Sequence, residues 1–296
     1  MRVEMADYQR ILQSSVNFME QRLLQGIELE DIAERAGLSL YHFMRVFAGF
    51  TGYTLKGYIR QRRLSEAARE LLEGEAYIYD LAEKYGFTSV EAFIRAFKKQ
   101  FKLTPQEYRK QNQLIYYIPK MRVQICLPDQ GGYMVKYQIK EMPPLTVIGR
   151  KQKVRSSETS KTIDRMIAEF RELNHKNNYT SDETIVGICF HDPRFFEQQP
   201  APEDEWWYMV GYLAKNEDNV PEGLEKYQVS AQRYAVFTHP GNLSNLGKTY
   251  RYICLDWISS VDHEFAPADE LNFYDNRYDA EQSDNSEYEL FIPILR

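Results

Sequence analysis

The sequence predicts a multidomain protein. An all-α double helix-turn-helix domain covers residues 1–113, a linker covers 114–132, and an α+β domain of pseudo-twofold (βαββ)2 type covers 133–296. Three observations predict this. A helical motif in the first third occurs twice, and a weaker, strand-like motif in the second half also occurs twice, offset by 90 residues. Composition changes between the two: no proline precedes Pro105, and all three tryptophans lie beyond Tyr133. Net charge changes with it, from +3 over 1–120 (18 Lys+Arg against 15 Asp+Glu) to −9 over 121–296 (19 against 28). A length of 296 residues suits about two domains of ordinary size.

The same inventory narrows the function classes. Cys126, Cys189 and Cys254 are few, odd in number and without metal-ligand spacing, so reduced thiols in a cytoplasmic protein are expected. Residues 1–10 lack the apolar core of a signal peptide, and no run approaches 18 consecutive apolar residues, so neither secretion nor a membrane partner is expected. His191-Asp192 and His239 pair with no nucleophile at a recognisable spacing, and no glycine-rich phosphate loop or zinc pattern occurs. No catalytic residue, metal or cofactor is therefore assigned.

Taken in order, residues 7–24 carry Tyr8, Ile11, Leu12, Met19 and Leu23 at helical spacing, which reads as an amphipathic scaffold helix. Asp31-Ile-Ala-Glu-Arg-Ala-Gly37 then returns 49 residues later as Asp80-Leu-Ala-Glu-Lys-Tyr-Gly86. Each glycine can turn the chain at positive φ, and Ser39 and Ser89 suit the N-cap of a following helix. A short helix, a turn and a capped second helix make a helix-turn-helix. Phe43, Phe47 and Phe50, and their counterparts Phe93, Phe97 and Phe101, are placed as anchors on the buried side. The opposite faces are the expected base readers: Leu40, Tyr41, Met44 and Arg45 in the first unit, Val90, Glu91, Ile94 and Arg95 in the second. Arg45 suits bidentate guanine contact and Glu91 can accept from cytosine N4. Phosphate contacts, which fix register without reading sequence, are expected from Ser39, Arg62, Arg63, Ser89, Lys98, Lys99, Lys102 and Thr104. Between the units, Leu64, Ala67, Ala68, Leu71 and Leu72 extend a helix over 54–72, roughly 28 Å long at 1.5 Å per residue. That rod falls slightly short of the roughly 34 Å between successive major grooves, so one chain is expected to span two half-sites of double-stranded DNA without dimerising.

Tyr58-Ile-Arg-Gln-Arg-Arg-Leu-Ser-Glu-Ala-Ala-Arg-Glu-Leu-Leu72, Ala82-Glu-Lys-Tyr-Gly-Phe87, Phe93-Ile-Arg-Ala-Phe-Lys-Lys99 and Thr104-Pro-Gln-Glu-Tyr-Arg109 resemble the signature of the AraC/XylS family of bacterial transcription regulators. The resemblance implies a seven-helix domain whose third and sixth helices enter the major groove. It places Tyr41, Met44 and Arg45 on the first reader and Val90, Glu91 and Arg95 on the second. It also implies RNA polymerase as a partner, and an activator of stress or drug-resistance genes, since in that subgroup the DNA-binding domain comes first.

Residues 114–132 read as a flexible connector, with Pro119, Pro128 and the turn Asp129-Gln-Gly-Gly132. Beyond it Tyr137-Gln-Ile139 returns as Tyr227-Gln-Val229. Each is followed by an apolar element (Leu145-Thr-Val-Ile-Gly149; Tyr234-Ala-Val-Phe-Thr238) and a helix (160–175; 243–260). Two strand-like runs close each copy (184–190 and 207–213; 271–274 and 288–294). Ser230-Ala-Gln-Arg-Tyr-Ala-Val-Phe-Thr-His-Pro-Gly241, Trp257-Ile258, Leu271-Asn-Phe-Tyr-Asp275 and Glu289-Leu-Phe-Ile-Pro-Ile294 resemble the gyrase-inhibitor-like, integron-type effector-binding domain. The resemblance implies a lipophilic, often cationic effector held by aromatic walls and a glutamate. Asn272 stands at the place of that glutamate; Glu270, two residues earlier on the same strand face, can substitute. The expected wall is Trp206, Trp207, Tyr208, Trp257 and Tyr274. A second reading keeps this domain as a protein-interaction module.

Overall fold

The structure is a computed structural model that describes residues 5–74, 76–111, 117–123, 135–191, 205–214, 219–282 and 285–295. The turn expected at 129–132, Cys126 and Asp192 lie outside the described residues. The chain divides into a helical unit within Glu4–Cys126 and a sheet unit within 127–296.

The helical unit holds α1 (Met5–Gln21), α2 (Leu29–Ala36), α3 (Leu40–Thr51), α4 (Leu55–Glu73), α5 (Ile78–Lys84), α6 (Val90–Phe101) and α7 (Pro105–Gln111). The repeated sequence makes the same turn twice. Gly37 and Gly86 sit at φ +70° and +72°. In each copy the glycine N–H donates to a glutamate carbonyl (Glu34, 3.0 Å; Glu83, 3.0 Å) and the next N–H reaches an alanine carbonyl (Ala33, 3.1 Å; Ala82, 2.9 Å). Two of the carbonyls a helix end leaves open are thereby satisfied, by a conformation that glycine adopts without steric cost. Ser39 and Ser89 then cap α3 and α6, accepting from the backbone N–H of His42 and Ala92. Phe43, Phe47, Phe93 and Phe97 are fully buried, as anchors should be. In the second unit they pack with Leu64, Ala68 and Leu71 of α4 and with Tyr108 of α7. Thr54 caps α4, accepting from Gly57 N–H at 3.1 Å, so the connecting rod exists as read.

The expected connector departs from its reading at 117–123. There the chain has few side chains of its own to bury, and its backbone is bound instead by polar groups of α1 and α4. Ile118 N–H donates to Ser65 Oγ (3.2 Å), Met121 N–H to the Tyr58 hydroxyl (3.2 Å) and Val123 N–H to Gln13 Oε1 (2.8 Å). Gln9 Nε2 donates to the Val123 carbonyl (3.0 Å), so this stretch is a strap rather than free linker.

One clamp beside the strap gives a pH prediction. Burial pushes the Glu66 carboxyl up, but hydrogen bonds from Tyr117, Arg62 and Arg69 outweigh it and hold it at about 2. A carboxylate depressed in the folded state adds stability that is complete above its ordinary range and is lost as pH falls toward its folded value. Glu66→Gln should therefore flatten the fall in stability between about pH 4.5 and pH 2. Urea midpoints taken across that window measure it; an acid slope equal to wild type would exclude Glu66 as a contributor.

The sheet unit holds β1 (Tyr137–Met142), β2 (Leu145–Arg155), α8 (Thr159–Asn177), β3 (Ile185–Cys189), β4 (Glu205–Ala214), β5 (Glu225–Val229) and β6 (Gln232–Pro240). It continues with α9 (Leu246–Tyr252), a π-helical turn (Ile253–Trp257), α10 (Ile258–Ser260), β7 (Glu270–Tyr274) and β8 (Glu287–Pro293). The strands form an eight-stranded sheet in the order β1-β6-β8-β7-β3-β4-β2-β5, and the pairings are antiparallel. Exchanging β1–β4 for β5–β8 reverses that order onto itself, so the two sequence halves are related by a pseudo-twofold axis between β3 and β7. Each half carries one short leading strand beyond its βαββ core, and that strand joins the other half: β1 pairs with β6, and β5 with β2. Such an exchange covers the outer edges of β6 and β2, which would otherwise end the sheet on either side.

Side-chain alternation gives the sheet two faces. One carries Val147, Val186, Ile188, Met209, Leu271 and Phe291 in a single apolar cluster. The other meets the helices: Tyr212 packs on Phe170 of α8, and Phe237 packs edge-on against Trp257 at 4.9 Å.

Candidate functional site

In the helical unit, α6 has the form of a reader. Its inner side is held by Phe93, Phe97 and Phe101, while Glu91, Arg95, Lys98 and Lys99 are exposed and Val90 and Ile94 are half-buried. The Glu91 carboxyl is held below its ordinary range by backbone and Ser89 hydrogen bonds at the helix N-terminus. Lys102 closes the helix in the left-handed conformation at φ +62°, exposed beside this face.

Helix α3 differs. Tyr41, Met44 and Arg45 were expected on an open face, yet they are 9%, 5% and 3% exposed. Every residue from 41 to 47 is buried, so the helix is enclosed around its circumference instead of presenting an outward stripe. Arg45 Nη1 donates to the Tyr41 hydroxyl one turn back (3.3 Å), and Leu40 is half-buried. His42 is fully buried with Nε2 3.0 Å from the Tyr8 hydroxyl.

Three expected phosphate ligands have other work. Arg62 is 3% exposed and forks onto Glu20, with Nε to Oε1 at 2.8 Å and Nη2 to Oε2 at 2.9 Å. It also binds Glu66 (2.7 Å) and the Ile118 carbonyl (2.6 Å). Four of its five N–H donors are given to these acceptors, which leaves little for a DNA phosphate. Arg63 Nε and Nη2 donate to the carbonyls of Leu23 and Gln25 (2.8 and 3.0 Å), which ties α4 to the α1–α2 turn. The Thr104 hydroxyl donates to Glu107 (2.8 Å), and Glu107 N–H returns to it in a capping box that starts α7. Ser39 and Ser89 accept as helix caps, from the His42 and Ala92 N–H groups. The Arg62 pairing had a local signal, since Glu66 lies at i+4; Glu20 and Ile118, far away in sequence, had none.

In the sheet unit the expected aromatic wall separates into different places. Tyr208 and Tyr274 are buried on the helix-facing side with their hydroxyls 2.9 Å apart, and Asn272 Nδ2 donates to Tyr208 Oη at 3.0 Å. The group sits on the pseudo-twofold axis, where Gly187 of β3 faces Asn272 of β7. Burial raises both tyrosine hydroxyls, so they stay protonated. Asn272 Oδ1 is buried and without a hydrogen-bond partner among the described residues. Glu270 lies on the same face of β7, as expected, and takes a hydrogen bond from the Tyr250 hydroxyl of α9. Tyr278 likewise donates to Asp164 of α8. Sequence reading missed Tyr250, Tyr278 and Asp164, because loop and helix positions carry no alternation that would place them beside β4 and β7.

The other wall candidates are elsewhere. Trp207 neighbours Tyr208 in a strand and therefore points to the opposite face, 46% exposed, with Lys151 and Lys153 over its ring at 5.3 and 5.7 Å. Trp206 is half-buried near the start of β4. Trp257 is core, 1% exposed against Phe237 and Tyr137. His239, buried and with its pKa lowered by burial, bonds Thr249, the Asn242 carbonyl and Asn245, and so anchors α9 to β6. Among the described residues no group of three or more His, Cys, Asp or Glu side chains could hold a metal ion, and no helix is long and apolar enough to cross a membrane.

Two helix-turn-helix units on one rod, followed by a pseudo-twofold sheet domain with a polar aromatic centre, define a DNA-binding regulator with an appended ligand-binding domain. Comparison with known proteins gives the family. Residues 135–295 match the GyrI-like small molecule binding domain and residues 32–111 a helix-turn-helix domain. The transcriptional regulator Rob of Salmonella typhimurium is 39% identical over 238 residues, 79% of this chain and 80% of that one. The right origin-binding protein of Escherichia coli is 26% identical over 299 residues, 98% of this chain and 100% of that one. The multiple antibiotic resistance protein MarA of Escherichia coli is 39% identical over 101 residues, 34% of this chain and 80% of that one. The chain belongs to the AraC/XylS family of transcription regulators, with the DNA-binding domain first and a GyrI-like domain after it.

Proposed function

We propose that this regulator reads two successive major-groove segments as a monomer, through α3 and α6, and activates transcription with RNA polymerase as partner. Its sheet domain binds a small lipophilic or aromatic effector on the helix-facing side of β3, β4 and β7. Arg95 and Glu91 read bases from α6, and Lys98, Lys99 and Lys102 hold phosphates. Reading through Tyr41, Met44 and Arg45 requires α3 to become accessible, because those side chains are buried.

The observation that carries the effector reading is the unpartnered Asn272 Oδ1 beside the Tyr208–Tyr274 pair. A buried acceptor left alone costs about 1–3 kcal/mol, and a ligand with an N–H or O–H donor removes that cost. Glu270 adds a carboxylate on the same strand face, so a protonated amine on an aromatic body is the best match. All three tryptophans lie in this domain, so their emission reports binding in the full-length protein. Titration with lipophilic cations, neutral aromatics and bile-type amphiphiles should give a saturable change with the first class. Footprinting with and without that ligand should show two protected segments about 34 Å apart. No saturable response from any class would shift the domain to protein interaction, and protection of one groove segment alone would remove the two-site monomer.

A further inference from the structure

We propose that the groove between the two helix-turn-helix units is a binding site for a small amphipathic anion, an aromatic or short aliphatic carboxylate. The site is independent of the effector reading, because every residue in it belongs to the helical unit.

The groove is a cavity of about 340 Å³ floored by α4. Lys56, Arg60 and Arg63 project along one face of that helix, at i, i+4 and i+7, and no carboxylate lines the cavity. Ile27 and Leu29 form one wall and Tyr85 and Phe87 the other. The cations differ in what they do. Arg63 is fixed by the Leu23 and Gln25 carbonyls. Its Nη1 lies against Gly86, where a Cβ would come within 2.9 Å of it, so the turn glycine also makes room for a guanidinium. Arg60 has no hydrogen-bond or ion-pair partner among the described residues. Tyr85 presents only its ring, since its hydroxyl donates to Glu70 (3.0 Å), and that carboxylate is already paired with Lys84 (2.7 Å).

Positive charge along the floor between apolar walls, with one guanidinium unused, selects an anion that brings an apolar body. A phosphodiester would answer the charge but would leave the walls of Ile27, Leu29 and Phe87 wet. The volume falls in the range of small-ligand sites, roughly 300–1,000 Å³, and accommodates a benzoate-sized molecule. Arg60 is placed to meet the carboxylate with two parallel N–H donors.

Photolabelling of the full-length protein with 4-azidobenzoate, compared with its neutral amide, tests this. Peptide mapping should find label at residues 27–29 or 85–87, at least about fivefold more from the acid than from the amide, because the acid alone makes the charge-assisted contact. Arg60→Gln, at a side chain with no hydrogen-bond or ion-pair partner among the described residues to lose, should cut that label by about tenfold, and Arg60→Lys should restore part of it. Benzoate should compete where inorganic phosphate at the same concentration does not. Equal labelling by acid and amide, labelling unchanged in Arg60→Gln, no label at these residues, or phosphate competing as well as benzoate would each overturn the proposal. The last would make the groove a bare phosphate site.

Discussion

Arg62→Ala is expected to lower the stability of the helical unit by about 3–5 kcal/mol, the usual cost of breaking a buried pair from one side. The arginine links three pieces that are distant in sequence: α1 through Glu20, its own helix through Glu66, and the strap through the Ile118 carbonyl. Side-chain exposure at Arg62, Glu20 and Glu66 is 4%, 11% and 16%, so water cannot replace the lost donors without opening the packing. Glu20 also takes the Tyr58 hydroxyl (2.7 Å) and Glu66 the Tyr117 hydroxyl (2.6 Å). Removing the guanidinium would leave two carboxylates facing one another across a partly dry gap. Arg62→Lys should recover little, because a single ammonium cannot reproduce the fork onto Glu20 while also reaching Glu66 and Ile118. Urea unfolding followed by far-UV circular dichroism gives the stability loss. The salt dependence of DNA binding separates this role from the phosphate contact expected of Arg62 from the sequence. A structural Arg62 leaves the slope of log affinity against log salt unchanged, whereas a phosphate ligand would reduce it by about 1. A near-wild-type midpoint with a reduced slope would return Arg62 to the DNA.

That contrast shows what the sequence could carry. Features set within one turn of chain were legible: the glycines at 37 and 86, the serine caps, the phenylalanine anchors and the rod of α4, since each follows from local conformation and helical spacing. The pseudo-twofold order of the sheet was legible in outline, because strand and helix recur at one offset in both halves. The direction of a charged side chain was not. Lys56, Arg60, Arg62 and Arg63 form one basic run on α4, and only partners far along the chain decide which of them are consumed. Three consecutive aromatics at 206–208 could have been divided in advance, because neighbouring residues in a strand point to opposite faces. The composition of α3, apolar nearly all round with Arg45 as its one charged residue, is that of a helix enclosed on every side, a signal that the helix-turn-helix pattern overrode.

Gly187→Ala should destabilise the sheet unit by about 1–3 kcal/mol from overpacking, together with loss of effector binding. A Cβ at this position would lie 2.1 Å from Tyr208 Oη, 2.9 Å from Tyr208 Cζ and 3.0 Å from Tyr274 Cε2. These atoms cannot step aside as a surface side chain would. Both rings are buried, the two hydroxyls bond each other, and Asn272 of β7 holds Tyr208 of β4 across the intervening β3. The glycine is therefore required by close approach, and its φ is ordinary for a strand. Forcing one tyrosine out moves the polar centre that lies on the pseudo-twofold axis, and with it the acceptor on Asn272 that the proposed effector would meet. Tyr208→Phe is the control: it keeps the ring and removes one hydroxyl, which should cost only about 1 kcal/mol net. It should also weaken ligand binding less than Gly187→Ala does. Thermal unfolding and the tryptophan titration, run on both variants in the full-length protein, read the two effects. If Gly187→Ala unfolds at the wild-type temperature and binds the same ligand equally well, the tyrosine pair is neither tightly packed nor part of the site, and the effector must be sought elsewhere on the sheet domain.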